Sequence, residues 1–329
     1  MVHIIAEAGT NHNGKLSIAK SLVDVAVDAK ADSVKFQIIY PNGLYLPKLF
    51  QDGQYHKNEV FYKRQSMMLG DNDYCDLAGY CREKDIEFSA SVFDSQGLDL
   101  LDKLDSSYIK VASCDLNNSR FLIEAAEHGR RLIISTGMAS LREIERAVLD
   151  IVTTGNTEIV LMHCVSVYPC PLERMNLSFL GVLKQAFGFP VGLSDHTRGN
   201  LAGAIAIGMG AGWIEKHFTL DCKADGFDHS YALEPIALHQ FVRDMRLAME
   251  ACTRQDVKVQ SAEVAVKDQS RRGLYAAHDI QAGEILRKQN VLVVRPEGLL
   301  EPNNLPLVLG KAARYSVSQY EPLSLNMFG

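Results

Sequence analysis

Val191-Gly192-Leu193-Ser194-Asp195-His196 and Trp213-Ile214-Glu215-Lys216-His217 both begin apolar and end on a histidine, with a helix-length segment between them. Both read as buried strands whose C-terminal ends turn polar. Neighbouring parallel strands lie about 4.8 Å apart. If these two are neighbours, His196 and His217 reach one small space, with Ser194 and Glu215 one pleat below. A lone histidine at a strand end is ordinarily just a hydrogen-bonded side chain. Two at matching positions on consecutive strands suit a divalent metal. Two nitrogens leave coordination positions open for water or substrate, as catalytic sites do. An enzyme is the leading reading.

Outward from this pair, a strand-then-helix alternation repeats eight times. The expected strands are 3–8, 33–38, 86–92, 108–113, 131–136, 158–164, 190–195 and 212–218. Amphipathic stretches such as 17–30, 73–84, 119–128 and 141–153 lie between them, with Ser17 as an expected N-cap and Gly129 as a helix stop. The strands are rich in Val and Ile on both faces, the mark of a parallel sheet covered on both sides. Eight such units in about 250 residues predict a closed (β/α)8 TIM barrel rather than an open sheet. Gly208-x-Gly210-x-Gly212 has nucleotide-fingerprint spacing, but it follows a helix and precedes a strand, the wrong order, and reads as a helix stop and turn.

Composition excludes several classes. The 329 residues are 47% hydrophobic and 22% charged, with a net charge of −6. That balance argues against a general binder of nucleic acid or anionic membrane, since both need a basic face. Seven cysteines, odd in number and without C-x-x-C pairing, fit reduced thiols better than a disulfide framework. The chain opens directly into a strand, with no signal-peptide pattern and no membrane-length apolar run, so a cytoplasmic setting is expected.

Polar residues cluster at the strand ends, where a barrel places its active site. They are Glu7, Lys35 with Gln37, Ser89 with Ser91, Lys110 with Ser113, Ser135, Ser166, Ser194 with His196, and Glu215 with His217. An unpaired charge inside a barrel costs several kcal/mol, so Lys35 and Lys110 read either as an anion clamp or as lysines snorkelling outward between helices. Lys216 alternates away from the histidines and reads as structural. His163 reads as a core histidine.

The motifs Ile5-Ala6-Glu7, Asn11-His12-Asn13-Gly14, Val34-Lys35-Phe36-Gln37, Lys110-Val111-Ala112-Ser113, Ser135-Thr136-Gly137-Met138-Ala139, His163-Cys164, Tyr168-Pro169, Gly192-Leu193-Ser194-Asp195-His196-Thr197, Glu215-Lys216-His217-Phe218-Thr219, Asp228-His229 and Leu233-Glu234-Pro235 resemble the sialic acid synthase family. The tail, with Ala276-Ala277-His278-Asp279-Ile280, Gly283-Glu284 and Arg295-Pro296, resembles that family's antifreeze-like (SAF, β-clip) domain. The resemblance divides the chain into a barrel over 1–252, a linker over 253–270 and a small, mostly-β SAF domain over 271–329. Such a tail has little core of its own and should lean on something larger.

The resemblance implies condensation of phosphoenolpyruvate with an N-acylated mannosamine-type sugar, giving a nine-carbon sialic (nonulosonic) acid and phosphate. Alternatives are a legionaminic or pseudaminic acid synthase acting on a diacetamido-trideoxyhexose, a different metal-dependent aldolase or hydrolase, and a catalytically silent sugar-binding protein. It implies Mn²⁺ or Mg²⁺ on His196 and His217. It places phosphoenolpyruvate on Lys35, Lys110, Ser113, Ser135, Ser166 and Ser194, and the sugar on Gln37, Phe93, Tyr168, Asp228 and Arg295. Glu7, Asp115, Glu215, His196 and His217 are the implied catalytic set. A homodimer with the tail crossing to the partner's barrel is implied as well.

The chain also departs from the family pattern. Cys114-Asp115 replaces the usual Gly-Glu, Ser166 stands where some members carry Asn, and Ser89-Ala90-Ser91-Val92-Phe93-Asp94 differs from the common Ser-Thr-Pro-Phe-Asp. Arg295-Pro296-Glu297-Gly298 lacks the familiar Gly-Asn-Gly after the proline. The insertion-like segment 40–65 reads as a loop over the barrel mouth.

Overall fold

A computed structural model describes residues 2–253 and 259–329. Twelve strands are formed among them: β1 His3–Gly9, β2 Ser33–Gln37, β3 Lys48–Gln51, β4 Gln54–Lys57, β5 Glu87–Ser91, β6 Ile109–Val111, β7 Leu132–Ser135, β8 Ile159–Cys164, β9 Val191–Asp195, β10 Trp213–His217, β11 Gly273–Ala276 and β12 Val291–Val294. Eight of them close a parallel barrel in the order β1-β10-β9-β8-β7-β6-β5-β2. The fold is therefore the TIM barrel that the alternation predicts. The described residues contain no helix long and apolar enough to cross a membrane.

Period-two alternation sorts each strand into an outer and an inner row. Ile4, Ala6, Ala8, Val34, Phe36 and Ile214 face the surrounding helices and join the main core. Ile5, Tyr108, Ile133, Val160 and Met162, with Trp213 packed against them, fill the barrel interior. His3 stacks on Trp213, ring centroids 4.1 Å apart, at the N-terminal end of the barrel. The next inward positions toward the C-terminal end, Glu7, Lys35 and Glu215, are charged yet almost wholly buried. The same strands thus deliver an apolar floor and a polar mouth.

Register carries this polarity around the ring. Glu7 lies opposite Lys35 on one side and His217 on the other. Glu215 lies opposite Ser194, and Lys216 opposite Asp195. On the outer face, the Lys216 ammonium sits 2.8 Å from Asp195 Oδ2 and donates to the carbonyls of Thr197 and Gly199. Asp195 Oδ1 in turn accepts from the Thr197 amide and hydroxyl. Lys216 is structural, as its alternation predicts, and it anchors the turn that follows His196. His163 is buried, with Nε2 2.6 Å from the Met175 carbonyl, a core role.

Two local expectations are corrected. The first helix runs Leu16–Asp28 with Lys15 at its N-cap position, so Ser17 lies inside the first turn. The Asn13-Gly14 pair, both at positive φ, turns the chain sharply enough to start the helix early. The segment 40–65 is not a plain loop: it holds a short helix Pro41–Leu44, the antiparallel β3–β4 hairpin and a helix Glu59–Ser66. Asp52 and Gly53, both at positive φ, form its two-residue turn, the conformation that hairpins favour.

The chain forms two compact units, Met1–Thr253 and Arg254–Gly329. Part of the expected 253–270 linker, 254–258, lies outside the described residues, and Ser261–Ser270 is a helix. In the second unit β11 pairs antiparallel with β12. Contrary to the expectation for so small a piece, it has a core of its own, in which Leu274, Ile280, Val308, Val317, Leu323 and Phe328 are buried.

Gly192 is required by close approach. A Cβ there would lie 2.6 Å from the Trp213 carbonyl oxygen and overlap Met162 Sδ. Gly192→Ala should destabilise the barrel by about 1–3 kcal/mol in urea unfolding. A variant as stable as the parent would show that β9 and β10 can separate to admit a methyl group.

Candidate active site

At the C-terminal end of the barrel lies a cavity of about 300 Å³ whose lining includes Glu7, Lys35, Gln37, Lys110, Ser113, Ser135, Ser166, Tyr168, Ser194, His196, Glu215 and His217. Both interior lysines point inward, so the snorkelling reading fails. Lys35 Nζ lies 2.7 Å from Glu7 Oε2 and 3.6 Å from Glu215 Oε2, and donates to Ser91 Oγ at 2.9 Å. Lys110 Nζ donates to Ser135 Oγ at 2.8 Å and lies 3.4 Å from Glu215 Oε1. The Ser194 hydroxyl donates to the same Glu215 oxygen at 2.8 Å. Glu7, Lys35, Glu215 and Lys110 thus form an alternating chain of charges, each from a different strand.

The two carboxylates are not equivalent. Burial raises Glu7 to about 7, against the pull of Lys35. Burial acts on Glu215 in the same direction, but Lys110, Lys35 and the Ser194 hydroxyl outweigh it and hold Glu215 below the ordinary carboxylate range. Lys35 is raised: the attraction of Glu215 and Glu7 overcomes its desolvation. Environments that drive two carboxylates apart leave one fixed as an anion and the other able to exchange a proton near neutrality.

The histidines sit above this chain, with ring centroids 5.6 Å apart. His196 Nδ1 lies 2.9 Å from the Val165 carbonyl. In the neutral ring that contact puts the proton on Nδ1 and leaves Nε2, 3.4 Å from Ser194 Oγ, as the lone-pair side. Burial lowers both histidines, His217 to about 4, so both rings are neutral at physiological pH. His217 Nδ1 is sealed from water and has no hydrogen-bond partner. Two neutral imidazoles from adjacent strands, one with an orphaned nitrogen, fit a divalent ion as donors.

Opposite them, Gly137 opens a cradle. A Cβ at this position would lie 2.5 Å from Ser166 Oγ and 2.8 Å from both Ser113 Oγ and Cys164 Sγ. Only glycine lets these three groups converge, and its amide donates to Ser113 Oγ at 3.0 Å.

Other sequence-predicted residues fall elsewhere. Phe93 and Asp115 do not line the cavity. Cys114 takes the lining position beside Asp115, whose carboxylate accepts from the Cys114 thiol at 3.4 Å. Asp228 does not line the cavity either; its Oδ2 lies 2.9 Å from where a Gly9 Cβ would be, a point 3.5 Å from both Gln37 Nε2 and Glu7 Oε1 of the lining. Arg295 belongs to the second unit. Sequence reasoning missed Tyr231, whose ring packs on His217 and Tyr168 with centroids 5.3 and 5.2 Å away. Its hydroxyl donates to Asp228 Oδ1 at 2.7 Å. It belongs to a three-residue helical turn, His229–Tyr231, which leaves no periodic signal.

The NeuB family model matches residues 22–257, and the SAF domain model matches 271–329. The chain belongs to the NeuB family. It is 33% identical to the N,N'-diacetyllegionaminic acid synthase of Legionella pneumophila over 96% of this chain and 91% of that one. It is 37% identical to the spore coat polysaccharide biosynthesis protein SpsE of Bacillus subtilis, over 90% and 84%. The crystal structure of the N-acetylneuraminic acid synthetase of Leptospira borgpetersenii, in complex with citrate, superposes with a TM-score of 0.72 at 34% identity, covering 80% of this chain and 90% of that one.

Removing one member of the buried charge chain should expose its cost. Lys35→Met leaves Glu7 without its closest counter-charge and should destabilise the fold by about 3–5 kcal/mol. Adding Glu7→Gln should recover part of that loss, because the buried charges balance again. Additive losses in urea unfolding would contradict the coupling.

Proposed function

We propose that this NeuB-family chain is a synthase that condenses phosphoenolpyruvate with an N-acylated mannosamine-type sugar to form a nonulosonic acid and phosphate. The observation that carries the reading is the buried pair of lysines, held by carboxylates and serines directly beneath two neutral imidazoles. An anionic substrate can exchange for some of those internal contacts without desolvating the lysines anew. The synthases among the relatives support the reading. The legionaminic acid synthase among them keeps a diacetamido-trideoxyhexose open as the acceptor.

In this reading Lys110, Ser135, Ser113, Ser166 and the Gly137 amide hold the phosphate end, while Lys35 and Ser194 face the carboxylate. Gln37, Tyr168 and Asp228 orient the open-chain sugar. C3 of the enol phosphate bonds to the aldehyde carbon, and the carbonyl electron pair moves to the aldehyde oxygen, which takes up a proton. The C2–C3 π pair makes that bond and leaves C2 cationic. Water adds there and gives up one proton, and the C2–O bond to phosphate breaks as the new C2 hydroxyl loses its proton and becomes the keto group. Glu7 is the carboxyl able to carry a proton in this neighbourhood, whereas Glu215 stays ionised and fixes both ammoniums. His196 and His217 would hold Mn²⁺ or Mg²⁺, which supplies Lewis-acid polarisation of the aldehyde when bound. A homodimer belongs to the same proposal.

Incubation with phosphoenolpyruvate, Mn²⁺ or Mg²⁺ and a panel of aldoses tests the reading. One phosphate should be released for each nine-carbon acid detected by mass. No release with any aldose would sink it. Chelation should abolish turnover and Mn²⁺ should restore it, and His217→Ala should lose both turnover and stoichiometric Mn²⁺ binding measured by calorimetry. Full activity in excess chelator would remove the metal from the scheme. Lys110→Ala should weaken phosphoenolpyruvate use by about one to two decades and leave the acceptor KM nearly unchanged. Unchanged kinetics for phosphoenolpyruvate would move Lys110 out of its binding set.

A further inference from the structure

Arg64, on the helix Glu59–Ser66, is only 9% exposed. Burying a guanidinium is costly unless its surroundings compensate. Its contacts do so without a carboxylate: Nη1 donates to Thr10 Oγ1 at 2.8 Å, and the guanidinium lies 3.5 Å from the ring centroid of Phe227. Nε is buried without a partner. Lys63, one residue earlier, also lies over the Phe227 ring, at 5.0 Å. Arg64 therefore joins three separate pieces of the mouth: its own insertion after β2, the turn after β1, and the loop after β10.

Phe227 precedes Asp228 in the chain. The loop that carries both is tied elsewhere to the turn after β1, where Asn13 Nδ2 donates to the Asp225 carbonyl at 2.8 Å. Asp228 Oδ1 is held by Tyr231, and its Oδ2 is buried with no partner; Oδ2, Gln37 Nε2 and Glu7 Oε1 all lie within 3.5 Å of the point a Gly9 Cβ would take. An unsatisfied buried carboxylate oxygen behind the lining residues Gln37 and Glu7 needs a donor, and a sugar hydroxyl or amide would serve.

We infer that the helix Glu59–Ser66 is a latch, and that Arg64 and Phe227, through their cation–π stack, are positioning residues that hold the Asp228 carboxylate toward the acceptor sugar. This rests on the acceptor site proposed above. Neither residue touches the cavity. Their effect passes through the backbone of 227–228, so it should fall on the acceptor and spare phosphoenolpyruvate, whose contacts lie on other strands. A planar guanidinium on an aromatic face is a contact that lysine reproduces poorly and an apolar side chain loses.

The test uses the full chain and the variants Arg64→Met, Arg64→Lys, Phe227→Leu and Phe227→Tyr. Hydrogen exchange without substrates should show protection over residues 221–231 falling in Arg64→Met and Phe227→Leu, and kept in Phe227→Tyr. In kinetics, the first two should raise the acceptor KM by roughly ten- to a hundredfold, with the KM for phosphoenolpyruvate within about twofold. Phe227→Tyr should stay near the parent and Arg64→Lys fall between. Unchanged exchange over 221–231 overturns the latch, and so does an equal rise in both KM values. If Arg64→Met fails to fold, the Phe227→Leu and Phe227→Tyr pair decides by the same readouts. If the parent chain condenses no aldose, the proposed function fails, and the exchange measurement still decides whether the latch exists.

Discussion

Everything at the mouth of this barrel depends on two ammoniums being held where water does not reach. Lys35 and Lys110 are each about as buried as the aliphatic core. Charges in such a medium persist only if their counter-charges arrive with them. Glu7 and Glu215 do so because the barrel closes β1 and β10 against each other and places β2 beside β1. No segment of fewer than four strands brings the set together. The site is therefore a property of the closed ring, and its electrostatics are in place before any substrate arrives.

Different pressures act on neighbouring groups within that ring. Glu215 is pinned by two lysines and a serine, so it behaves as a fixed anion. Glu7 meets mainly one lysine, and desolvation prevails. The histidines have no acidic counterpart strong enough to offset burial and stay neutral. Cations for an anionic ligand and lone pairs for a metal thus sit within one cavity without neutralising each other.

Much of this was legible in the chain itself, since strands that begin with Val or Ile and end in Lys, Ser, Glu or His advertise a buried sheet with a polar rim. The eight barrel strands follow from runs of Val and Ile alternating with helix-length segments. The direction of Lys35 and Lys110 does not: the sequence leaves a clamp and snorkelling both open, and only their contacts with Glu7, Glu215 and Ser135 decide. The β3–β4 hairpin was overlooked although Asp52-Gly53 marks its turn; its exposed strands lack the apolar alternation that draws attention. Asp115 and Cys114 differ by one step around a three-residue helical turn, a rotation that spacing does not encode. Arg64 and Phe227 are 163 positions apart, and no local pattern joins them.

The outward ion pair between Lys216 and Asp195 has a further consequence. In Glu215-Lys216-His217, adjacent residues face opposite sides of one sheet; Glu215 and Lys216 are matched across β9 by Ser194 and Asp195, and His217 lies opposite Glu7 of β1. Sliding β10 by a single residue would turn the lysine into the barrel and drive both the glutamate and the histidine against the apolar helices. Both faces would lose their matches at once, so a slipped register of β10 is disfavoured. A motif that reads as catalytic is thereby also the alignment mark by which the last two strands find each other.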